Sequence, residues 1–171
     1  ASGEQFGHAR ATLVARCEPM VIEAYAQLAS DPIAVGLEYD PPWRRGGGLA
    51  GALAAARSDD VRRGVSTVGP HRDELVLTLG GLPARTHASQ GEQRTLALAL
   101  RLAAHRLVAE RTGSTPVLVL DDVLSELDQR RARALLEHLP SGQVVITTAN
   151  ALPEAARPDR VLHIRAGAVI P

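Results

Sequence analysis

Two adjacent carboxylates at the end of an apolar run are the residues of this sequence best placed to do chemistry: Val117-Leu118-Val119-Leu120 is followed at once by Asp121-Asp122. Four residues without a polar side-chain atom read as a strand buried on both faces, and such a strand delivers the residues after it to the carboxyl edge of a sheet, where α/β proteins hold ligands. There one carboxylate can hold Mg²⁺, usually through water, and the next can orient or deprotonate an attacking water. Asp121 takes the metal role and Asp122 the role of base or water-positioner. The same pair would also serve simply to open a turn or cap a helix, and on these two residues alone the readings weigh equally.

Two further segments supply context. Ser125-Glu126-Leu127-Asp128 comes directly after the pair, and Ser89-Gln90-Gly91-Glu92-Gln93-Arg94 stands at the start of a long predicted helix. Ser89, three residues ahead of Glu92, forms a capping box. A helix N-terminus with a serine hydroxyl, a glycine and free backbone N–H groups also suits a phosphate, so here the plain and the functional readings coincide. Each segment is a weak signal singly; their order along the chain is the strong one. His71 and Arg72, after Gly69-Pro70, are candidates for a nucleotide or DNA face, with a strand-capping turn as the plain alternative. His8, His87, His105, His138 and His163 show no metal-ligand spacing. Arg44-Arg45 and Arg62-Arg63 could touch phosphates, though short basic pairs are usually solvated surface; Arg130, Arg131 and Arg133 stand just past Asp128, with contact to DNA as the lesser reading.

The elements that must position these residues are set by periodicity. Helical spacing over 3–30 predicts one long helix or two, with Pro19 expected to kink or divide the run. A strand over 33–39, a turn-rich loop over 40–48 and a helix over 49–62 complete a mostly helical unit, residues 1–63, with a boundary at Gly64. Beyond it, strands are expected at 65–68 and 75–79, then a hairpin at Gly80-Gly81 into 82–86 and a helix over 91–112. The remaining elements are a strand at 117–120, a helix over 129–138, a strand at 143–148 and a strand pair at 161–164 and 168–170. Apolar strands alternating with helices make residues 64–171 a layered α/β half-domain.

Composition sets the bounds. A chain of 171 residues, 45% hydrophobic, can bury one core or two small ones. The formal charge is +0, and all 19 basic residues are arginine, so whole-chain charge does not point to nucleic acid. The single cysteine, Cys17, cannot form an internal disulfide, and no charged start with an apolar run reads as a signal peptide; a reducing, cytoplasmic setting is the expectation. The most apolar stretch, 96–102, contains Arg101 and is too short to span a bilayer. The opening Ala1-Ser2-Gly3 reads as the start of an excised fragment.

Residues 67–150 resemble the C-terminal lobe of the RecF family, relatives of the SMC-type and ABC ATPases. The resemblance is carried by Val68-Gly69-Pro70-His71-Arg72-Asp73, by Ala88-Ser89-Gln90-Gly91-Glu92-Gln93-Arg94-Thr95-Leu96-Ala97-Leu98, and by Leu120-Asp121-Asp122-Val123-Leu124-Ser125-Glu126-Leu127-Asp128. It implies that Ser89, Gln90, Gly91, Glu92 and Gln93 form the signature that meets ATP held by a second subunit. It likewise implies that Asp121 is the Walker B metal ligand, Asp122 the catalytic carboxylate, and Ser125, Glu126, Leu127 and Asp128 the D-loop. Residues 1–63 are similar, more loosely, to the helical arm between the two ATPase segments of that family. Where many ABC ATPases place a switch histidine, Thr148 stands within Ile146-Thr147-Thr148-Ala149-Asn150, which fits weak hydrolysis. The Gly-x-x-x-x-Gly-Lys-Ser/Thr motif is missing, and without a lysine its cation has no candidate in this sequence.

The chain alone is therefore expected to be inactive and to hold no cofactor. The intact protein is expected to use ATP and Mg²⁺ and to dimerise head to head on ATP. The resemblance further implies action at gapped DNA or single/double-strand junctions, with other recombination-mediator proteins, in DNA repair, replication, recombination and the SOS response, away from membranes. Two other classes compete. One is an isolated folding and protein-interaction module. The other is a transporter's nucleotide-binding subunit, disfavoured by Gln90, Glu92, Thr148 and the motif around His71.

Overall fold

The computed structural model describes residues 2–31 and 33–170, which form two compact units, Ala1–Pro116 and Val117–Pro171. In the first unit, helix α1 (Ser2–Leu28) runs unbroken through Pro19. Proline removes one backbone donor, but Val21, Ala24, Tyr25 and Leu28 beyond it are buried, and this packing outweighs the local cost. Three further helices of this unit are α2 (Leu49–Arg63), α3 (Ala84–His87) and α4 (Gln90–Thr112). Helix α4 packs against α1 and presents Leu96, Ala99, Ala103 and Leu107 as a single buried stripe at helical spacing.

The unit also holds a 3-10 helix over Pro42–Gly46, where the sequence predicts a loop, and three antiparallel strands: β1 (Val35–Tyr39), β2 (Leu75–Leu79) and β3 (Leu82–Pro83). The β1–β2 ladder runs from Val35 opposite Leu79 to Tyr39 opposite Leu75, so it joins residues from both sides of Gly64. Between them in the chain lies α2, with no buried residue, ended by Gly64 at φ 66° in the left-handed region that glycine adopts without penalty. β3 is short because the chain coils at once into α3 instead of continuing to 86.

The strand expected at 65–68 is a polar turn instead. Asp60 accepts hydrogen bonds from the Thr67 hydroxyl at 2.6 Å and the Thr67 N–H at 2.9 Å, which hold its carboxyl below the usual range. The Ser66 carbonyl accepts from Arg72 Nε at 3.1 Å and lies 3.3 Å from His71 Nε2. Side-chain capture of this kind competes directly with ladder pairing.

One buried carboxylate ties the unit together. The Asp73 side chain is 0% exposed; it accepts from Trp43 Nε1 at 2.8 Å and from the Tyr39 hydroxyl, and Arg10 of α1 stands 3.7 Å away. Burial, and then Asp73, push the Tyr39 hydroxyl above its ordinary range. Gly7 gives Trp43 its room, since a Cβ there would sit 2.7 Å from the indole ring. Asp73→Ala strands two donors and a nearby guanidinium, and should cost about 3 kcal/mol. Asp73→Asn keeps an acceptor for Trp43 and should cost less. Urea unfolding checks the order; an unchanged midpoint for the alanine variant would contradict it.

In the second unit, β4 (Leu118–Leu120) and β5 (Val144–Ile146) are parallel, with Leu118, Val119 and Leu120 opposite Val144, Val145 and Ile146. Helix α5 (Gln129–Glu137) lies in the crossover between them. Leu118 and Leu120 are buried but Val119 between them is 61% exposed, so β4 is covered on one face, not on both as its composition suggests. A hairpin of β6 (His163–Arg165) and β7 (Ala168–Ile170) turns at Ala166-Gly167, both at positive φ, a geometry whose twist matches paired strands. The whole is a mixed α/β architecture of small sheets and helices. No helix among the described residues is long and apolar enough to cross a membrane.

Candidate nucleotide site

The parallel register that sets Leu120 opposite Ile146 brings the next residues of the two strands together. Thr147 N–H donates to the Leu120 carbonyl at 3.0 Å, and Asp122 N–H donates to the Thr147 carbonyl at 3.1 Å and to its hydroxyl oxygen at 3.0 Å. The Thr147 hydroxyl donates in turn to Asp121 Oδ1. Asp121 and Asp122 are both exposed at this strand end, the edge where the sequence places them.

Asp122 sits at φ 48°, ψ 23°, in the left-handed region, where aspartate and asparagine are the commonest non-glycine residues. Its carbonyl accepts from the Ser125 hydroxyl at 2.8 Å and the Ser125 N–H at 3.3 Å, closing a 3-10 turn over Val123–Glu126. Asp128 then caps α5: it accepts from Arg131 N–H at 2.9 Å and pairs with that guanidinium at 2.7 Å, the backbone bond being the larger cause of its lowered pKa. Ser125 and Asp128 thus shape the turn that leaves β4, with exposed Glu126 and half-buried Leu127 between them.

Thr148, predicted at the switch position, is half-buried, and its hydroxyl accepts from Asn150 N–H at 3.1 Å in a local turn. Its neighbour Thr147, which sequence reasoning passed over, holds the Asp121 carboxylate and the Asp122 backbone N–H. Aligning 117–120 against 143–146 as neighbouring parallel strands would have found it, since that register sets residue 147 beside residue 121.

In the first unit, the start of α4 is a complete capping box. Glu92 N–H donates to Ser89 Oγ at 3.3 Å, and Glu92 Oε2 accepts from Ser89 N–H and from Ser89 Oγ, both at 2.7 Å. Ser89 and Gln90 are exposed and Gly91 is half-buried. Gln93 serves structure, its amide donating to the carbonyls of Ala88 at 3.0 Å and Ala84 at 3.4 Å, which fixes α3 to the helix start. Buried Thr95 bonds back to the Gly91 carbonyl at 2.8 Å. His71 and Arg72 are exposed and tied to the Ser66 turn, just after Gly69, whose φ of 138° and crowding by the His71 ring suit glycine.

This mixed architecture of helices and small sheets is that of a piece of an ABC/SMC-like ATPase, as its match to solved RecF structures shows. Over most of its length the chain is similar to RecF. It is 44% identical to the DNA replication and repair protein RecF of Streptomyces avermitilis over 151 residues, covering 82% of this chain and 39% of that protein. To RecF of Frankia alni it is 44% identical over 163 residues, covering 86% and 42%. Two solved structures of the recombination mediator protein RecF in the RecFOR pathway, one described with ATPrS and one with ATP, superpose with TM-scores of 0.79 and 0.78. They are 25% identical to it, over 98% of this chain and 46% of theirs. No family model matches the chain. It spans about two-fifths of the length of the curated relatives it matches.

Proposed function

We propose that this chain works as the C-terminal part of an ATP-dependent recombination mediator of the RecF kind, supplying the signature and Walker B halves of a composite ATP site. The observation that carries the reading is the strand end where Asp121 is held by Thr147 and Asp122 is set in a left-handed turn, in a chain 44% identical to RecF. In this reading residues 1–63 belong to an arm and 64–171 to the ATPase head. Ser89, Gln90 and Gly91 meet the γ-phosphate of ATP on a second copy, with Glu92 and Gln93 shaping that helix start. Ser125 to Asp128 form the D-loop at the dimer seam, and His71 and Arg72 face nucleotide or DNA. Closure of two copies on ATP would create a surface for gapped or junction DNA, where other mediator proteins act. The chain by itself, having no lysine, would not bind ATP productively.

The site fits Mg²⁺ as nucleotide-dependent enzymes use it. Asp121 Oδ2 has no hydrogen-bond partner among the described residues, and no three His, Cys, Asp or Glu side chains converge there into a cage. An ion at Asp121 would take its remaining ligands from phosphate oxygens and water, the usual arrangement for Mg²⁺. Bound there it would screen phosphate charge; Asp122 would orient the attacking water and take its proton. In the full-length protein, Asp121→Ala should reduce ATP affinity in Mg²⁺ to the value the parent shows in EDTA. Calorimetric titration reads this, and an affinity that still rises with Mg²⁺ in the variant would contradict the metal role.

A further inference from the structure

We propose that Thr147 is a positioning residue for the metal-binding carboxylate, an inference that rests on the reading of Asp121 as that carboxylate. A threonine hydroxyl has one proton to give. Asp122 N–H, 3.0 Å from Thr147 Oγ1, can only donate, so the hydroxyl accepts there and gives its own proton to Asp121 Oδ1. The direction of both bonds is thereby fixed.

Three features make this hydroxyl a rigid support. The β4–β5 ladder and the Thr147 N–H bond to the Leu120 carbonyl fix its backbone. Threonine is branched at Cβ and stiff at χ1. The acceptor and donor on either side are consecutive residues, so one side chain sets both the Asp121 carboxylate and the start of the Asp122 turn. Oδ1 is occupied by the hydroxyl and Oδ2 is left for the ion shell. Without the hydroxyl the carboxylate can rotate, and part of the ion's binding free energy goes into ordering it.

Removing the hydroxyl leaves no orphan donor, because Asp122 N–H keeps the Thr147 carbonyl at 3.1 Å. Thr147→Val should therefore change the melting temperature little. In the full-length protein the Mg²⁺ concentration that half-restores ATPγS binding, followed by calorimetry against an EDTA baseline, should rise on the order of tenfold, the usual effect of losing a hydrogen bond to a metal-binding group. The EDTA baseline itself should not move, and Thr147→Ser should return the half-point to near the parent's. A Thr147→Val half-point equal to the parent's overturns the proposal, as does a serine variant that behaves like valine. Asp121→Ala, run alongside, separates the two levels. If it too leaves the Mg²⁺ dependence unchanged, the metal reading of Asp121 has failed; if it abolishes the dependence while Thr147→Val does nothing, only the positioning role has failed.

Discussion

Asp122→Asn in the full-length protein should abolish ATP hydrolysis while leaving ATP binding and the fold intact. Asparagine matches aspartate in size and is one of the few residues that tolerate the left-handed backbone found at φ 48°. The turn beyond it is closed on the residue's carbonyl by Ser125, not on its side chain, so the substitution leaves it in place. The variant loses the negative charge and the ability to accept a proton, worth on the order of 100-fold or more in rate for a general base. Alanine would be a poorer test, because a left-handed alanine adds about 1 kcal/mol of backbone strain to the chemical effect. Single-turnover phosphate release measures the loss, and hydrolysis at the parental rate would remove Asp122 from the chemistry.

Ser89→Asp should eliminate ATP-induced dimerisation while the monomer still binds ATP. The helix start is the point at which the γ-phosphate of a second copy would be met, and a carboxylate there sets like charges together across a closing interface. The sequence alone suggests that aspartate would cap α4 as well as serine does. The structure alters that expectation, because the Ser89 hydroxyl also donates to Glu92 Oε2 at 2.7 Å. Aspartate still accepts the Glu92 N–H but gives up that donation and places a second carboxylate beside the first. The variant should thus lose about 1 kcal/mol of stability without nucleotide, a small drop in melting temperature. Sedimentation velocity with and without ATP separates this cost from the loss of assembly. A variant that dimerises at the parental concentration would reduce Ser89 to a helix cap.

The parts of this fold that could be read from the sequence are those fixed by local chemistry. The capping box at Ser89 and Glu92 marks the start of α4, expected at Gly91 and found at Gln90, and the apolar run ending in Asp121-Asp122 marks β4. The parts that stayed hidden depend on partners distant in sequence. Val65 to Val68 look like a strand until Asp60, seven residues before Thr67, captures that backbone. The coverage of only one face of β4 is invisible in Val117-Leu118-Val119-Leu120, where every side chain is apolar. The pairing of β1 with β2 across Gly64 needs a register between runs some forty residues apart. Thr147 escaped for the same reason: its significance is a strand neighbour 26 residues away, whereas Thr148 stands out in the sequence only by its place in the order of motifs.

A composite ATP site requires the signature of one copy to complete the Walker B site of another. Mixing the two full-length variants tests this directly, since each is expected to be inactive alone for a different reason. Ser89→Asp keeps Asp121 and Asp122 but offers a defective signature, and Asp122→Asn keeps its signature but lacks the carboxylate. Combined as monomers before ATP is added, they can form a mixed dimer in which the first variant's carboxylates face the second variant's signature. The measurement is steady-state phosphate release from the mixture. With a composite site, hydrolysis returns to a fraction of the parental rate; a mixture as inactive as its two components, with both folded, both binding ATP and a mixed dimer present by sedimentation velocity, would contradict it.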